Sequence, residues 1–384
     1  MNTHVNVSIK NSIDEIAALE PAWEELAHAS GFRTPGSDPL WVRKWFEHIG
    51  TRSAPMVATV WEDGQLSGVL PMAVSERFLG MKLVTFAGAP HGALFDFPAE
   101  DDRREEVLEK VMSEIAARGD TWDICDLSDL SPDSICADVI NEYADEFVFA
   151  SDKLSGDPFL SIDLRCGNGD PKGSRKHRYN MRRARKKLAE IGSVDFKVVC
   201  DKNALERYMP QMFEIHRRRW KGYYTGSLFN SHNGRTFIEE IAKLYLERGS
   251  LYLALLTLDE TAVAYALCFR FGDTLYYYNP AFDPEYATYS PGVILLEEIV
   301  KDCRDGGICR IELGKGSLPY KERLATSTAN GKRIIFARRG PMASLFIHSY
   351  LAWLSIRDAA RGSEVFRKMA GRLKEPSFAA RKRA

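Results

Sequence analysis

The chain carries almost no net charge, −1 over 384 residues. No global field therefore draws it to nucleic acid or to a membrane, and any electrostatic partner must be met by a local patch. Cysteines are few. The seven, at positions 125, 136, 166, 200, 268, 303 and 309, lack CxxC spacing and mostly stand in apolar surroundings such as Trp122 to Cys125. Neither a metal site nor a disulfide framework is expected from them, and buried thiols in a reducing compartment are. Residues 1–10 hold no apolar core followed by a small-residue cleavage site, so no secretory signal is read there and a cytoplasmic protein is expected. The longest apolar stretch, Pro341 to Ile356, includes His348 and Ser349 and is too short to span a bilayer.

What is present is a globular composition, 45% apolar and 27% charged. At this length one core stops growing, so two are expected. The second half spells its elements clearly. Val194 to Cys200 alternates as a strand, and Asp201 caps a helix to Trp220 with the stripe Leu205, Met209, Met212 and Phe213. A second helix, Arg235 to Arg248, stops at Gly249. Three strands follow, Leu251 to Leu258, Thr261 to Phe271 and Thr274 to Tyr278, with turns at Asp259-Glu260 and Gly272-Asp273. Ser290 and Pro291 open a helix that runs to Gly306 and Gly307, before a strand from Ile308 to Leu313. A short helix over Tyr320 to Ala325 and a strand over Lys332 to Arg338 complete the series. The first half repeats this order from Val5 to its own final strand, with a hairpin at Asp63-Gly64. In both halves a helix ends in glycine before a strand, at Gly119 and at Gly306 and Gly307.

This order is that of the GNAT fold, and the chain resembles the Fem-type and cellulose-biosynthesis-type branches of that superfamily, in which two GNAT lobes are fused. The likeness is carried by Arg175 to Lys187, His216 to Trp220, Tyr286 to Gly292, Leu313 to Gly316, and Tyr320 with Lys321. Trp41, Trp45, Leu70 and Pro71 fit the first lobe. The resemblance implies an α/β fold of mixed sheets, a tandem duplicated GNAT. Expected divisions are an N-terminal lobe (1–165), a basic connecting helix (166–192), a C-terminal lobe with the donor site (193–340), and an amphipathic helix with a basic tail (341–384).

Acyl transfer to an amine needs a held donor, an oxyanion stabiliser and a route for a proton. The resemblance places the donor's pyrophosphate at Ser290, Pro291, Gly292 and Val293, where free N–H groups and the helix dipole favour an anion. No acid follows there until Glu297, whereas the matching first-lobe helix opens on Glu100, Asp101 and Asp102. The Arg/Gln-x-x-Gly-x-Gly/Ala donor loop usual in the superfamily is absent, which leaves the donor open between acyl-CoA, acetyl-CoA foremost, and aminoacyl-tRNA. Lys172 to Lys187 contains nine basic residues and no acid, on a helix with Met181, Ala184, Leu188 and Ile191 as its apolar stripe. It reads either as a solvated face or as a site for substrate phosphate, RNA or anionic lipid; Arg178, Arg182 and Arg185 are taken as substrate ligands, with Trp220, Tyr278 and Tyr286. Tyr320 has the acidity to protonate a thiolate and Lys321 to stabilise an oxyanion, while His216, Asp283 and Glu312 are the candidate bases, with His91 and Asp96 considered from the interlobe side.

The expected activity is N-acyl transfer to an amine of a sugar or cell-envelope (exopolysaccharide) precursor, free or lipid-linked, without a metal. The rivals are an aminoacyl-tRNA-dependent Fem-type peptidyltransferase, lacking here the long coiled-coil insertion of some relatives, and a non-catalytic GNAT-fold binding module. Residues 345–373 mix aromatic and basic side chains and read either as a helix packed on the lobes or as a peripheral contact with the inner membrane face.

Overall fold

A computed structural model describes residues 4–362, apart from Phe32, Phe78, Leu79, Ala93, Asp120, Ala144, Ser317 and the segments 151–157, 166–174 and 222–226. The first half begins β1 (Val5–Lys10), α1 (Ile13–Ala29), α2 (Pro39–His48), β2 (Ser53–Glu62), β3 (Gln65–Glu76) and β4 (Lys82–Phe86). It continues with α3 (Arg104–Ala117), β5 (Ile124–Leu130), α4 (Cys136–Asn141), β6 (Phe147–Phe149) and β7 (Pro158–Asp163). After α5 (Arg175–Ala189) come β8 (Val194–Val198), α6 (Lys202–Arg219), α7 (His232–Glu247), β9 (Leu251–Leu258), β10 (Thr261–Phe271) and β11 (Thr274–Phe282). The rest is α8 (Pro291–Asp305), β12 (Arg310–Lys315), α9 (Pro319–Leu324), β13 (Ser327–Asn330), β14 (Lys332–Arg338) and α10 (Ala343–Gly362).

Local chemistry fixes the element ends. Ser12 and Glu15 form a reciprocal capping box at the start of α1. Asp38 accepts from the N–H groups of Leu40 and Trp41 ahead of Pro39, and Asp201 accepts from Ala204 N–H at 2.8 Å. The β9–β10 turn places Asp259 and Glu260 at φ 46° and 66°, the two left-handed positions of a tight hairpin.

The first sheet is ordered β1-β2-β3-β4-β5-β14-β6 and the second β8-β9-β10-β11-β12-β7-β13 when read from the matching edge. The orders correspond strand for strand, and the sixth strand is exchanged between the halves. β14 lies antiparallel to β5 with Ile335 opposite Asp126, and β7 lies antiparallel to β12 with Ser161 opposite Glu312. The expected boundaries at 165 and 340 therefore do not follow the sheets. Each exchanged strand is apolar where it lands: Ile334 and Phe336 join the core under α3, Ile335 and Ala337 lie beneath α10, and Leu160 and Ile162 join the core under α8.

A shared core fills the space between the lobes. Trp41, fully buried in α2, meets the ring of Phe237 in α7 at 4.9 Å and those of Tyr278 and Phe269 at 5.4 and 5.6 Å. Burying each such ring contributes about 2 kcal/mol. Tyr245 donates to Asp38 Oδ1 at 3.0 Å, Tyr276 to the Arg33 carbonyl at 2.9 Å, and Lys315 pairs with Asp129 at 2.8 Å, so polar contacts also cross the seam.

Candidate active site

β11 and β12 are parallel and pair for three residues, Thr274–Tyr276 with Arg310–Glu312. Beyond that point a cavity of about 300 Å3 opens, lined by Tyr276 to Asn279 and Glu312 to Lys315 of the two strands, by Ser227 to Phe229, by Lys321, and by His91, Gly92 and Leu94 of the first lobe. Two parallel strands that part in this way expose backbone groups on both sides of the opening, a place to hold an extended ligand.

Lys321 is buried, and its ammonium donates to the Leu313 carbonyl at 2.7 Å. Burial lowers it from the ordinary lysine value to about 8. Glu312 lines the same cavity; burial raises its carboxyl, opposed by its ion pair with Arg310. His216 is buried on α6, stacked on Phe229 with ring centroids 4.5 Å apart. Its neighbours fix its tautomer. Tyr265 donates to Asn279 Oδ1 at 2.7 Å, so its oxygen is left to accept from His216 Nδ1–H at 3.0 Å. Nε2 then carries a lone pair and faces Ser227 Oγ at 3.0 Å. Burial pushes His216 down to about 4, so it stays a neutral acceptor near pH 7. The result is a hydroxyl, imidazole and phenol in series, with the hydroxyl at the cavity. Burial likewise pushes His91 down to about 4; the Trp45 indole donates to its Nδ1 at 3.4 Å.

Of the residues expected here, Lys321, Glu312 and Tyr278 line the cavity and His216 reaches it through Ser227. Asp283 does not. Its carboxylate is held by Arg218 at 2.8 Å and caps the turn Pro284–Tyr289 through Glu285 N–H, so it is a structural ion pair. Tyr320 is bonded to Tyr277 and packs against the core under α8, and burial raises its phenol to about 12, away from the value useful for protonating a thiolate near neutral pH. Tyr286 packs against that same core, and Trp220 is stacked by the Arg219 guanidinium at 5.1 Å; neither lines the cavity. Ser227, Tyr265 and Asn279 were not anticipated. A tyrosine inside an apolar strand needs a partner for its hydroxyl, and Tyr265 carried that signal.

Ser290 stands at the N-cap of α8 ahead of Pro291 as expected, but at φ 53° and with no capping bond from its side chain. The N–H groups of the first turn are left without a side-chain acceptor at their head, while Val293 N–H returns to the Ser290 carbonyl at 3.0 Å. A Cβ on Gly292 would stand 3.3 Å from Phe282, so packing as well as approach calls for glycine there. α5 runs beside α8 and the turn that precedes it, with Arg185 paired to Glu298. The basic residues of α5 are thus on the α8 side of the sheet. Arg182 is exposed, and the side chain of Arg178 and the tail beyond 362 lie outside the described residues.

Where α2 meets α7, Glu47, His48 and Glu240 face one another. Lys44 bridges both carboxylates at 2.7 and 2.9 Å and already supplies the positive charge a cation would bring.

Residues 175–322 match the family model described as Acetyltransferase (GNAT) domain. No match was found among curated protein sequences. Among solved structures, FemX is similar with a TM-score of 0.61 at 13% identity, over 88% of this chain and 99% of that one. The C-terminal domain (DUF2156) of a putative lysylphosphatidylglycerol synthetase from Agrobacterium fabrum has a TM-score of 0.51 at 13% identity, over 88% and 95% of the two chains. L-PGS from Bacillus licheniformis has a TM-score of 0.51 at 10% identity, over 88% and 96%. At such identities these likenesses establish the fold. Residues 175–322 are therefore a stretch similar to a GNAT domain, and it lies mostly in the second of two lobes that share one strand order. Among the described residues no helix is long and apolar enough to cross a membrane.

Proposed function

We propose that the protein is an N-acyltransferase that moves an acyl group from acyl-CoA, acetyl-CoA foremost, to an amine of a sugar or cell-envelope precursor in the interlobe cavity. The observation that carries this is one cavity holding both a buried ammonium, Lys321, and a serine hydrogen-bonded to a neutral histidine. In this reading Glu312 helps bind and orient the amine. As the amine nitrogen bonds to the thioester carbon, Lys321 stabilises the oxygen that gains charge. The nitrogen's proton passes through Ser227 Oγ to His216 Nε2, and the C–S bond then breaks with the proton returned to the departing thiolate.

The donor's phosphates are assigned to the first turn of α8, Ser290 to Val293, with α5 adding positive charge from the same side. The side-chain-uncapped helix start, its lack of an acid in the first turn and the position of α5 support this. The matching first-lobe helix, α3, carries Glu105 and Glu106 in its first turn and would repel an anion.

Calorimetric titration with acetyl-CoA, followed by radiolabel transfer to a panel of amino sugars, tests the reading. Donor binding and amine-dependent loss of label from CoA are expected. Transfer from aminoacyl-tRNA with no response to any acyl-CoA would replace it with the Fem-type reaction, and salt-dependent RNA or glycan binding without turnover would replace it with a binding module.

A further inference from the structure

α10 has two faces. Ala343, Ile347, Tyr350 and Leu354 are buried against Leu83, Ile124, Ile335 and Ala337 of the first sheet. On the opposite side Met342, Leu345, Trp353 and Ile356 are 46%, 54%, 48% and 70% exposed. Their spacing puts them on one stripe about 21 Å long at the helical rise. Of the seven large apolar side chains most exposed among the described residues, four lie on this stripe, so the clustering is not the scatter expected of an ordinary surface.

The charge around the stripe selects its occupant. From Gly340 to Ile356 there is no acidic residue. Arg338 and Arg339 stand exposed ahead of the helix, and the Arg357 guanidinium lies 5.1 Å from the Trp353 ring at its far end. From Arg357 to Ala384 the sequence holds nine basic residues against three acids, in a chain whose net charge is −1. A partner protein's apolar groove would be satisfied by the stripe alone. Apolar and aromatic side chains flanked by arginines on both sides match a bilayer interface, where rings sit at headgroup level and guanidinium groups meet lipid phosphate.

We propose that the outward face of α10 seats the protein on an anionic lipid surface, with Leu345, Trp353 and Ile356 entering the headgroup boundary. None of these residues lines the interlobe cavity, so the assignment stands apart from the acyl-transfer reading.

Sedimentation of the full chain with vesicles of phosphatidylcholine, with and without phosphatidylglycerol, tests it. Binding should require the anionic lipid, and Leu345→Glu with Ile356→Glu should weaken it by about tenfold or more, equivalent to about 1.4 kcal/mol. Both changes are at exposed helix positions, and an unchanged melting temperature verifies that the fold survives. In the wild type, brominated lipid should quench a fraction of the tryptophan emission that Trp353→Phe removes. Equal sedimentation of wild type and double variant overturns the proposal. So does concentration-dependent self-association that the double variant abolishes without any lipid binding, which would make a second copy the occupant.

Discussion

The two lobes share a strand order and differ in what fills it. In the first, β4 and β5 also pair for three residues, Leu83–Thr85 with Ile124–Asp126, and then leave room for a third chain segment. Phe95 takes that room, bridging to Leu130 and stacking on Phe86 at 5.2 Å, while Ala99 bridges to Gly68. In the second lobe the same parting is the cavity. The last paired residues correspond: Asp126 in one lobe, Glu312 in the other. Asp126 is neutralised by Arg333 at 2.6 Å and accepts a hydrogen bond from the Tyr350 hydroxyl at 2.6 Å, under the cover of α10; Glu312, paired with Arg310, lines the cavity. One backbone plan thus serves as scaffold where its gap is plugged and leaves a cavity, the reaction site of the proposed function, where it is not.

This contrast can be broken at matched positions. Arg333→Met should have the largest effect, leaving Asp126 buried without its cation at a cost of about 3 to 5 kcal/mol. Chemical denaturation should register the loss, with kcat per folded molecule unchanged. Lys321→Met should do the reverse, lowering kcat by about 100- to 1000-fold as a lost oxyanion donor does, with stability preserved. If Lys321→Met unfolds the protein and Arg333→Met silences it, the roles assigned to the lobes are wrong.

Two side chains of the second lobe, His216 and Lys321, should set the pH response. Activity should rise through about 4 as His216 becomes neutral and fall through about 8 as Lys321 loses its proton, with a plateau between. Stability should move the other way at the alkaline limb. The unfolded chain holds the lysine proton to the ordinary value of 10.5, so the burial cost of Lys321 is full below about 8 and is relieved as pH climbs between the two values. A kcat profile flat across pH 8 would remove Lys321 from the chemistry.

The smallest effect is expected at the donor end. Gly292→Asp should weaken acyl-CoA binding by about tenfold, near 1.4 kcal/mol. Gly292→Ala brings the same Cβ against Phe282 without the charge, so equal losses in the two variants would point to packing and defeat the phosphate assignment.

Element order was legible because it rests on local signals: the period of the apolar residues, the cap at Asp201, the hairpins at Asp63 and Asp259. Partner choice was not. Lys332–Arg338 reads as a strand and the first half was expected to end on one, but nothing within Pro158–Asp163 or Lys332–Arg338 states which sheet each completes; that depends on distant groups such as Asp126, 207 residues from Arg333. The site divides on the same line. Lys321 and His216 were named as candidates from residue type within family-like segments, and Glu312 from residue type alone; the fold brings these three to one cavity. That Asp283 is paired away from the cavity could not be read because its cation, Arg218, is 65 residues away, and Ser227 was passed over because its partner is revealed only when α6 packs beside it.

The exchanged strands also impose a timetable. During synthesis β7 leaves the ribosome before any other strand of the sheet it completes, and the first sheet waits for β14, after every other described strand has been made. Until residue 338 emerges, β5 and β6 keep open edges and Asp126 has neither Arg333 nor Tyr350 to meet it. A ribosome that stalls between the lobes leaves a fragment with unpaired strands and a buried carboxylate without its cation, prone to associate edge to edge. Neither half alone then holds every strand of its own sheet.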